Sequence, residues 1–182
     1  MKEPWIQTYT GKQFSYLEAS ADQISIEDIA RSLSHLCRFT GHCKTFYSVA
    51  QHSVLVSQKT HNPFFGLMHD ADEAYTGDMN RPLKHFLGAG SFFERAANTA
   101  WYAIRDKFPL LKEVTPDEEA DCKKVDLRML VTESYELLLN GPHPDWQINK
   151  FTHPRYDGEI TPWLPDYAMR RFLDRFNELN AT

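Results

Sequence analysis

Four side chains of this sequence have the chemistry and the order expected of a metal site: His52, the adjacent pair His69 and Asp70, and Asp126. Each lies in a segment whose apolar residues have helical spacing. Helical bundles build metal sites from side chains that project inward from facing helices. Two imidazoles and two carboxylates suit one divalent transition ion, and this set does not choose among zinc, cobalt, manganese and iron(II).

The His-Asp pair is placed in surroundings that look buried. The apolar run Gly-Leu-Met at 66–68 precedes it, and burying such polar groups costs several kcal/mol unless they are paired or bound to metal. Glu73 follows His69 by four residues and Asp70 by three, so we predict that the three share one helix face. A carboxylate there could hold or activate a water molecule, and Asp78 would reach the same cavity. A lone histidine is usually structural, whereas this combination favours a functional site.

The elements that must position these residues are mostly helices. Ser25 and Ser48 are good N-caps, and Thr115 with Glu118 forms a capping box. We predict an extended N-terminal segment at 1–24, an aromatic and proline-rich loop packed over the domain at 141–165, and helices at 25–36, 49–57, 64–75, 91–108, 116–140 and 166–180. The predicted fold class is mainly α, a helical bundle forming a single domain over 1–182.

Composition excludes several classes of protein. The 182 residues include 20 Lys+Arg and 25 Asp+Glu, a formal net charge of −5, which argues against a nucleic-acid coat protein. No apolar run is long enough to span a membrane, and the first residues lack the apolar core of a signal peptide. Three cysteines without a Cys-x-x-Cys pair are typical of reduced thiols. We therefore expect a cytoplasmic protein with a small-molecule partner.

The order His52, His69-Asp70, Asp126 resembles the H…HD…D signature of the HD superfamily of metal-dependent phosphohydrolases. The resemblance extends over about 26–135. Within this superfamily, the pattern is similar to that of bacterial 5′-deoxynucleotidases and phage-encoded deoxynucleoside triphosphate (dATP-type) triphosphohydrolases. The stretches that carry it are Arg-Phe at 38–39, Val-Ala-Gln-His-Ser at 49–53, Met-His-Asp-Ala-Asp-Glu-Ala-Tyr at 68–75, Gly-Asp at 77–78 and Pro-Leu-Lys at 82–84.

The resemblance implies a role for each site residue. His52, His69, Asp70 and Asp126 would ligate the ion, in an HD-type helical bundle. Glu73 would position or activate the attacking water, and Asp78 would meet the sugar 3′-hydroxyl.

Arg38 would bind a substrate phosphate, and Phe39 would crowd C2′ of the sugar and so favour deoxyribose, at a position where the family usually has Trp. Positive charge for further phosphates would come from Lys44, Arg81 and Lys84. Additional Mg²⁺ or Mn²⁺ could also enter bound to the substrate phosphates. Glu133, seven residues after Asp126, is better suited to an ion pair with a neighbouring arginine.

Three interpretations of the function remain open at this point. The first is hydrolysis of the 5′-phosphate ester of a 2′-deoxynucleotide by water attack at the α-phosphorus, releasing either phosphate from a monophosphate or triphosphate from a triphosphate. The second is a two-metal phosphodiesterase or oxygenase, which needs more histidines than the single His85 between Asp70 and Asp126. The third is a non-catalytic nucleotide-binding regulatory module. A homo-oligomer is compatible with each of them.

Overall fold

A computed structural model describes residues 4–146 and 154–181, and this part of the chain is mainly helical, as predicted. A two-stranded antiparallel sheet, β1 (Trp5–Gln7) and β2 (Gln13–Ser15), pairs Ile6 with Phe14. The helices are α1 (Ile26–His35), α2 (Val49–Ser57), α3 (Pro63–Met68), α4 (Glu73–Thr76), α5 (Arg81–Leu87), α6 (Phe92–Lys107), α7 (Pro116–Leu137) and α8 (Pro165–Asn180), with 3-10 turns at Ala21–Gln23, Arg38–Gly41 and Pro109–Lys112.

The structure confirms the three helix starts that were predicted from N-cap residues. The side chain of Ser25 accepts a hydrogen bond from the backbone N–H of Glu27, and that of Ser48 accepts one from Gln51. Thr115 and Glu118 form the reciprocal capping box at the start of α7. Each cap satisfies backbone donors that the first turn leaves unpaired, so these starts are set by local sequence.

The single helix predicted over 64–75 is wrong in its middle. The chain forms α3 and α4 with a turn at 69–72 between them, so His69 and Asp70 lie in a turn and not inside a helix. The turn uses hydrogen bonds between residues three apart, such as Glu73 N–H to the Asp70 carbonyl at 3.1 Å. Such bonds place residues i and i+3 above one another, which keeps Asp70 and Glu73 on the same side.

The core lies where α1, α2, α3, α6 and α8 meet. Leu33, Val54, Leu67, Ile104 and Phe172 are buried there in one apolar cluster. A second, smaller cluster lies between α2 and α7, and it comprises Val56, Cys122, Val125 and Met129. Helix α2 is therefore covered on both sides, which buries the polar residues it carries between the two clusters.

Gly66 allows α3 to approach the end of α2 closely. A Cβ atom at this position would lie 2.4 Å from Thr60 Oγ1 and 3.1 Å from Ser57 Cα. The first separation is too short unless the Thr60 side chain moves and the second is tight, so glycine favours this packing. The close approach brings the turn that follows α3 against the helix that carries His52.

The described part of the 141–165 loop packs on the domain. The Gln51 side chain donates to the Thr161 carbonyl at 2.9 Å and accepts from the Trp163 N–H at 2.8 Å. Tyr156 N–H donates to Thr132 Oγ1 at 3.0 Å. Residues 147–153 of the predicted loop lie outside the described residues. Within the described part, no helix has both the length and the apolar character needed to cross a membrane.

Candidate metal centre and adjoining cavity

Three predicted ligands converge between α2 and the 69–72 turn. His52, His69 and Asp70 each offer one ligand atom, and these atoms lie within 4.8 Å of one another. Asp70 Oδ2 is 3.2 Å from His69 Nε2 and 3.7 Å from His52 Nε2. These residues could hold a metal ion.

Asp126 reaches the same place from α7. Its Oδ1 lies 3.2 Å from His52 Nε2, although it falls outside the tighter group of three. Three separate elements therefore bring the four predicted ligands together around the imidazole of His52. His52 and Asp126 are 74 positions apart in sequence, and they come into direct contact because α2 packs against α7.

The two imidazoles present the nitrogen that a metal would need. Nδ1 of His69 is 2.8 Å from the Gly66 carbonyl, and Nδ1 of His52 is 2.7 Å from Glu133 Oε1. Both partners are acceptors, so each Nδ1 acts as the donor. Both Nε2 atoms are buried and lack a hydrogen-bond partner of acceptable geometry among the described residues. A buried polar atom left in this way is costly, and a metal ion is a ligand that fits this donor set.

The charges of the cluster shift one another's pKa. Burial alone would raise the pKa of Asp70, but the neighbouring His69, His52 and Arg38 outweigh burial and lower it. Burial alone would lower the pKa of His69, but Asp70 and Asp126 raise it to about 9. Asp70 is therefore held ionised, and the His69 imidazole binds a proton tightly unless another cation replaces it.

Glu73 lies at the edge of the cluster with one oxygen paired and the other free. Its Oε1 accepts from Lys84 Nζ at 3.2 Å, and its Oε2 is buried with no hydrogen-bond partner in the described part of the chain. Burial, together with the charges of Asp70 and Asp78, raises the pKa of Glu73 well above its usual value. Carboxyl groups with raised pKa values are typical of general acid–base catalysts.

A cavity of about 770 Å³ opens above the cluster. Its wall includes Asp70, Glu73, Asp78 and Asp126. Burial raises the pKa of Asp78 above its usual value. The predicted substrate-binding residues Arg38, Phe39, Arg81 and Lys84 line it too, together with Thr40, Met79, Asn80, Pro82, His85, Leu130 and Trp146. Lys44 is exposed and does not line this cavity, so the structure does not bring it to the site.

Phe39 is held in an unusual backbone conformation at the cavity wall. Phe39 and Thr40 both have φ of 55°, in the left-handed region that non-glycine residues rarely adopt. The Phe39 ring meets the Trp146 ring edge to face, with centroids 6.4 Å apart. Strain of this kind is typical of functional sites, where the surrounding structure enforces it.

Arg38 and Glu133 form the ion pair that the sequence predicted for Glu133. Arg38 is buried, and its Nε donates to Glu133 Oε2 at 3.1 Å, while its Nη1 lies 3.8 Å from Asp70 Oδ2. Burial alone would raise the pKa of Glu133, but Arg38 and His52 lower it. Arg38 is therefore held between Asp70 of the candidate metal site and Glu133 of α7.

Tyr47 and Trp146 are site residues that the sequence analysis did not assign. The Tyr47 hydroxyl donates to Glu133 Oε1 at 2.7 Å across 86 positions of sequence. Trp146 belongs to the aromatic loop that was expected to pack over the domain, and it lines the cavity. For Tyr47 no local pattern signals the contact, because it depends on how α2 and α7 pack.

Comparison with known proteins finds relatives whose names state no activity. The chain is 39% identical over 178 residues to "Uncharacterized protein YfdR" of Escherichia coli (strain K12), an alignment covering 97% of this chain and 96% of that protein. It is 37% identical over 101 residues to "Uncharacterized protein RCAP_rcc00048" of Rhodobacter capsulatus, covering 50% of this chain and 52% of that protein. No family model matches the chain. The extent of the first alignment shows that the chain belongs to the family of the Escherichia coli protein YfdR.

Proposed function

We propose that the chain is a metal-dependent phosphohydrolase of the HD superfamily that cleaves the 5′-phosphate ester of 2′-deoxynucleotides. One observation carries the proposal. The buried Nε2 atoms of His52 and His69 lack a hydrogen-bond partner of acceptable geometry among the described residues, and they converge with Asp70 beside a cavity lined by cationic side chains. The H…HD…D order of the sequence supports the same assignment.

The proposed metal centre adds Asp126 as a fourth ligand to His52, His69 and Asp70. The donor set is two imidazoles and two carboxylates, which suits a zinc, cobalt, manganese or iron(II) ion. When bound, such an ion would polarise a phosphoryl oxygen and lower the pKa of bound water.

The protein's own residues would supply the remaining parts of the reaction. Glu73 Oε2, which is buried and has no hydrogen-bond partner among the described residues, is placed to accept a proton from the attacking water when the carboxyl is ionised. Arg38 would bind the phosphate that is cleaved. Phosphoryl transfer depends mainly on positioning and on charge neutralisation, and Arg38 is a buried cation that would contribute to both.

The dimensions and charge of the cavity suit a nucleotide. Its volume of about 770 Å³ lies within the roughly 300–1,000 Å³ range of small-molecule sites. Phe39 and Trp146 offer aromatic surface to a sugar or base, and Asp78 offers an acceptor for a sugar hydroxyl. Arg81 and Lys84 line the same cavity, and this charge is what a triphosphate would need beyond its α-phosphate.

A nucleotide panel tests the proposal. Purified protein is assayed with deoxynucleoside mono- and triphosphates and their ribose counterparts, each with Mn²⁺, Co²⁺, Zn²⁺ or Mg²⁺. Free phosphate is measured with malachite green, and nucleoside and tripolyphosphate by chromatography. Nucleoside with phosphate from a monophosphate identifies a 5′-deoxynucleotidase, whereas nucleoside with tripolyphosphate identifies a triphosphohydrolase.

Two variants provide a matched pair for this assay. Asp70→Asn removes a proposed ligand charge and should abolish turnover, whereas Asp106→Asn makes the same change at an exposed residue of α6 that pairs with Lys112 and should not. If no substrate yields nucleoside, or if Asp70→Asn is as active as Asp106→Asn, the proposed function is wrong.

A further inference from the structure

Glu133 is the acceptor for three donors from three different parts of the chain. Its carboxylate is fully buried on α7. Oε1 accepts from the Tyr47 hydroxyl at 2.7 Å and from His52 Nδ1 at 2.7 Å. Oε2 accepts from Arg38 Nε at 3.1 Å. A carboxylate with no exposure and every contact made to a donor is held in one position.

The bond to His52 decides which imidazole nitrogen faces the cluster. Because a carboxylate accepts, Nδ1 of His52 carries the proton, and Nε2 is left as the nitrogen with a lone pair to offer. His69 is oriented in the same way by the Gly66 carbonyl at 2.8 Å. Carboxylate, imidazole and metal in series is a common arrangement, in which the carboxylate fixes the ring and strengthens it as a ligand.

The bond to Arg38 ties the same carboxylate to the cavity. Arg38 lines the cavity and its Nη1 lies 3.8 Å from Asp70 Oδ2. Nε, on the inner edge of the guanidinium, is occupied by Glu133. Glu133 therefore restrains the guanidinium from its inner edge, while Nη1 lies near Asp70 and the side chain lines the cavity.

We propose that Glu133 is a positioning residue that holds a metal ligand and the phosphate-binding cation at the same time. Its Oε1 sets the tautomer and orientation of His52, and its Oε2 sets the orientation of Arg38. Tyr47 fixes the carboxylate itself. The inference rests on the proposed function, since it takes His52 as a metal ligand and Arg38 as a phosphate-binding group.

Glu133→Gln tests the proposal with little change in side-chain volume. A carboxamide replaces one acceptor oxygen with a donor, so at least one of the three donors must then face an N–H₂ group. Ser134→Ala is the matched control, because Ser134 is also buried on α7 and its hydroxyl donates to the Val131 carbonyl of the same helix at 2.7 Å.

The first measurement is metal affinity without substrate. Chelator-treated protein is titrated with Co²⁺ and followed by absorption and calorimetry, while circular dichroism and thermal unfolding confirm the fold. We expect Glu133→Gln to weaken Co²⁺ binding about 10- to 100-fold, and Ser134→Ala to bind as the unaltered chain does. Equal affinity in folded Glu133→Gln and the unaltered chain overturns the inference.

The second measurement uses the most active nucleotide at saturating metal. The loss of the Arg38 anchor should raise KM about tenfold or more, while kcat changes less than it does on removal of Glu73. A change in kcat alone, with KM and metal affinity intact, contradicts the proposed link to Arg38.

If Glu133→Gln does not fold, the unaltered chain still provides a test. In a ¹⁵N spectrum of its imidazoles with Zn²⁺ bound, we expect Nδ1 of His52 to be protonated and hydrogen-bonded, and a deprotonated Nδ1 refutes the proposal. The two ideas fail separately. Weakened Co²⁺ binding without hydrolysis of any nucleotide contradicts the proposed function alone, and hydrolysis with unchanged Co²⁺ binding in Glu133→Gln contradicts this inference alone.

Discussion

Metal binding should raise the thermal stability of the chain by a measurable amount. The structure buries two imidazole nitrogens, Nε2 of His52 and of His69, for which residues 4–146 and 154–181 supply no hydrogen-bond partner of acceptable geometry. An unpaired buried polar atom costs about 1–3 kcal/mol. Each of these nitrogens already lies 3.2 Å from a carboxylate oxygen, so about 2–6 kcal/mol is the upper bound on what a ligand that pairs both can recover. A ligand at 100 times its Kd stabilises a protein by about 2.7 kcal/mol, which lies within that range.

The expected shift in Tm follows from the size of the chain. For 182 residues, each kcal/mol moves Tm by about 2–4 °C, so about 2.7 kcal/mol corresponds to about 5–11 °C. Chelator-treated protein is unfolded by differential scanning calorimetry with and without Zn²⁺, Co²⁺ or Mn²⁺ at 100 times the Kd obtained by titration.

His69→Ala should abolish the shift, whereas His61→Ala should keep it. His61 is exposed and pairs with Asp121 outside the cluster, so it controls for loss of a histidine as such. A shift below about 1 °C with every ion, or an equal shift in both variants, would refute the reasoning that the unpaired nitrogens are a metal site.

Three further predictions concern catalysis, protons and packing. Glu73→Gln should lower kcat about 10²- to 10⁴-fold while Co²⁺ affinity changes less than threefold, and kcat within threefold of the unaltered enzyme contradicts the role given to Glu73. Because the pKa of His69 is raised to about 9, a metal ion must displace its proton, so metal affinity should fall as pH falls from 8 to 6. Calorimetry in buffers of different ionisation enthalpy should show proton release on metal binding. A metal affinity that does not change with pH contradicts this prediction. Gly66→Ala should lower the free energy of unfolding in urea by about 1–3 kcal/mol, because the added Cβ would lie 2.4 Å from the Thr60 side chain. Adding Thr60→Ala should restore part of the lost stability. A Gly66→Ala variant as stable as the unaltered chain contradicts the packing argument.

The helix starts were predictable because their causes are local. The Ser48 side chain bonds to the backbone three residues later, and Thr115 with Glu118 satisfies both ends of a capping box. Such contacts depend on a few consecutive residues, so they can be read from sequence. The same holds for the mainly α fold class, since amphipathic spacing recurs along most of the chain.

The turn at 69–72 and the surroundings of His52 could not be predicted in the same way. Helical spacing continues through His69 and Asp70, but the structure ends α3 there with the His69 side chain bonded to the Gly66 carbonyl. Glu133 reaches His52 across 81 positions of sequence and Tyr47 across 86. These contacts are set by how α2 packs against α7, and no periodicity specifies that arrangement.

The central claim is that the cluster of His52, His69, Asp70 and Asp126 supports metal-dependent hydrolysis of a deoxynucleotide. The most direct measurement is the rate of nucleoside release, followed by chromatography, in chelator-treated protein before and after one divalent ion is added back. We predict no release with chelator, release from a deoxynucleoside mono- or triphosphate after addition of Mn²⁺ or Co²⁺, and no recovery in Asp70→Asn. The claim is contradicted if no ion restores release from any deoxynucleotide, or if release is equally fast in the presence of chelator.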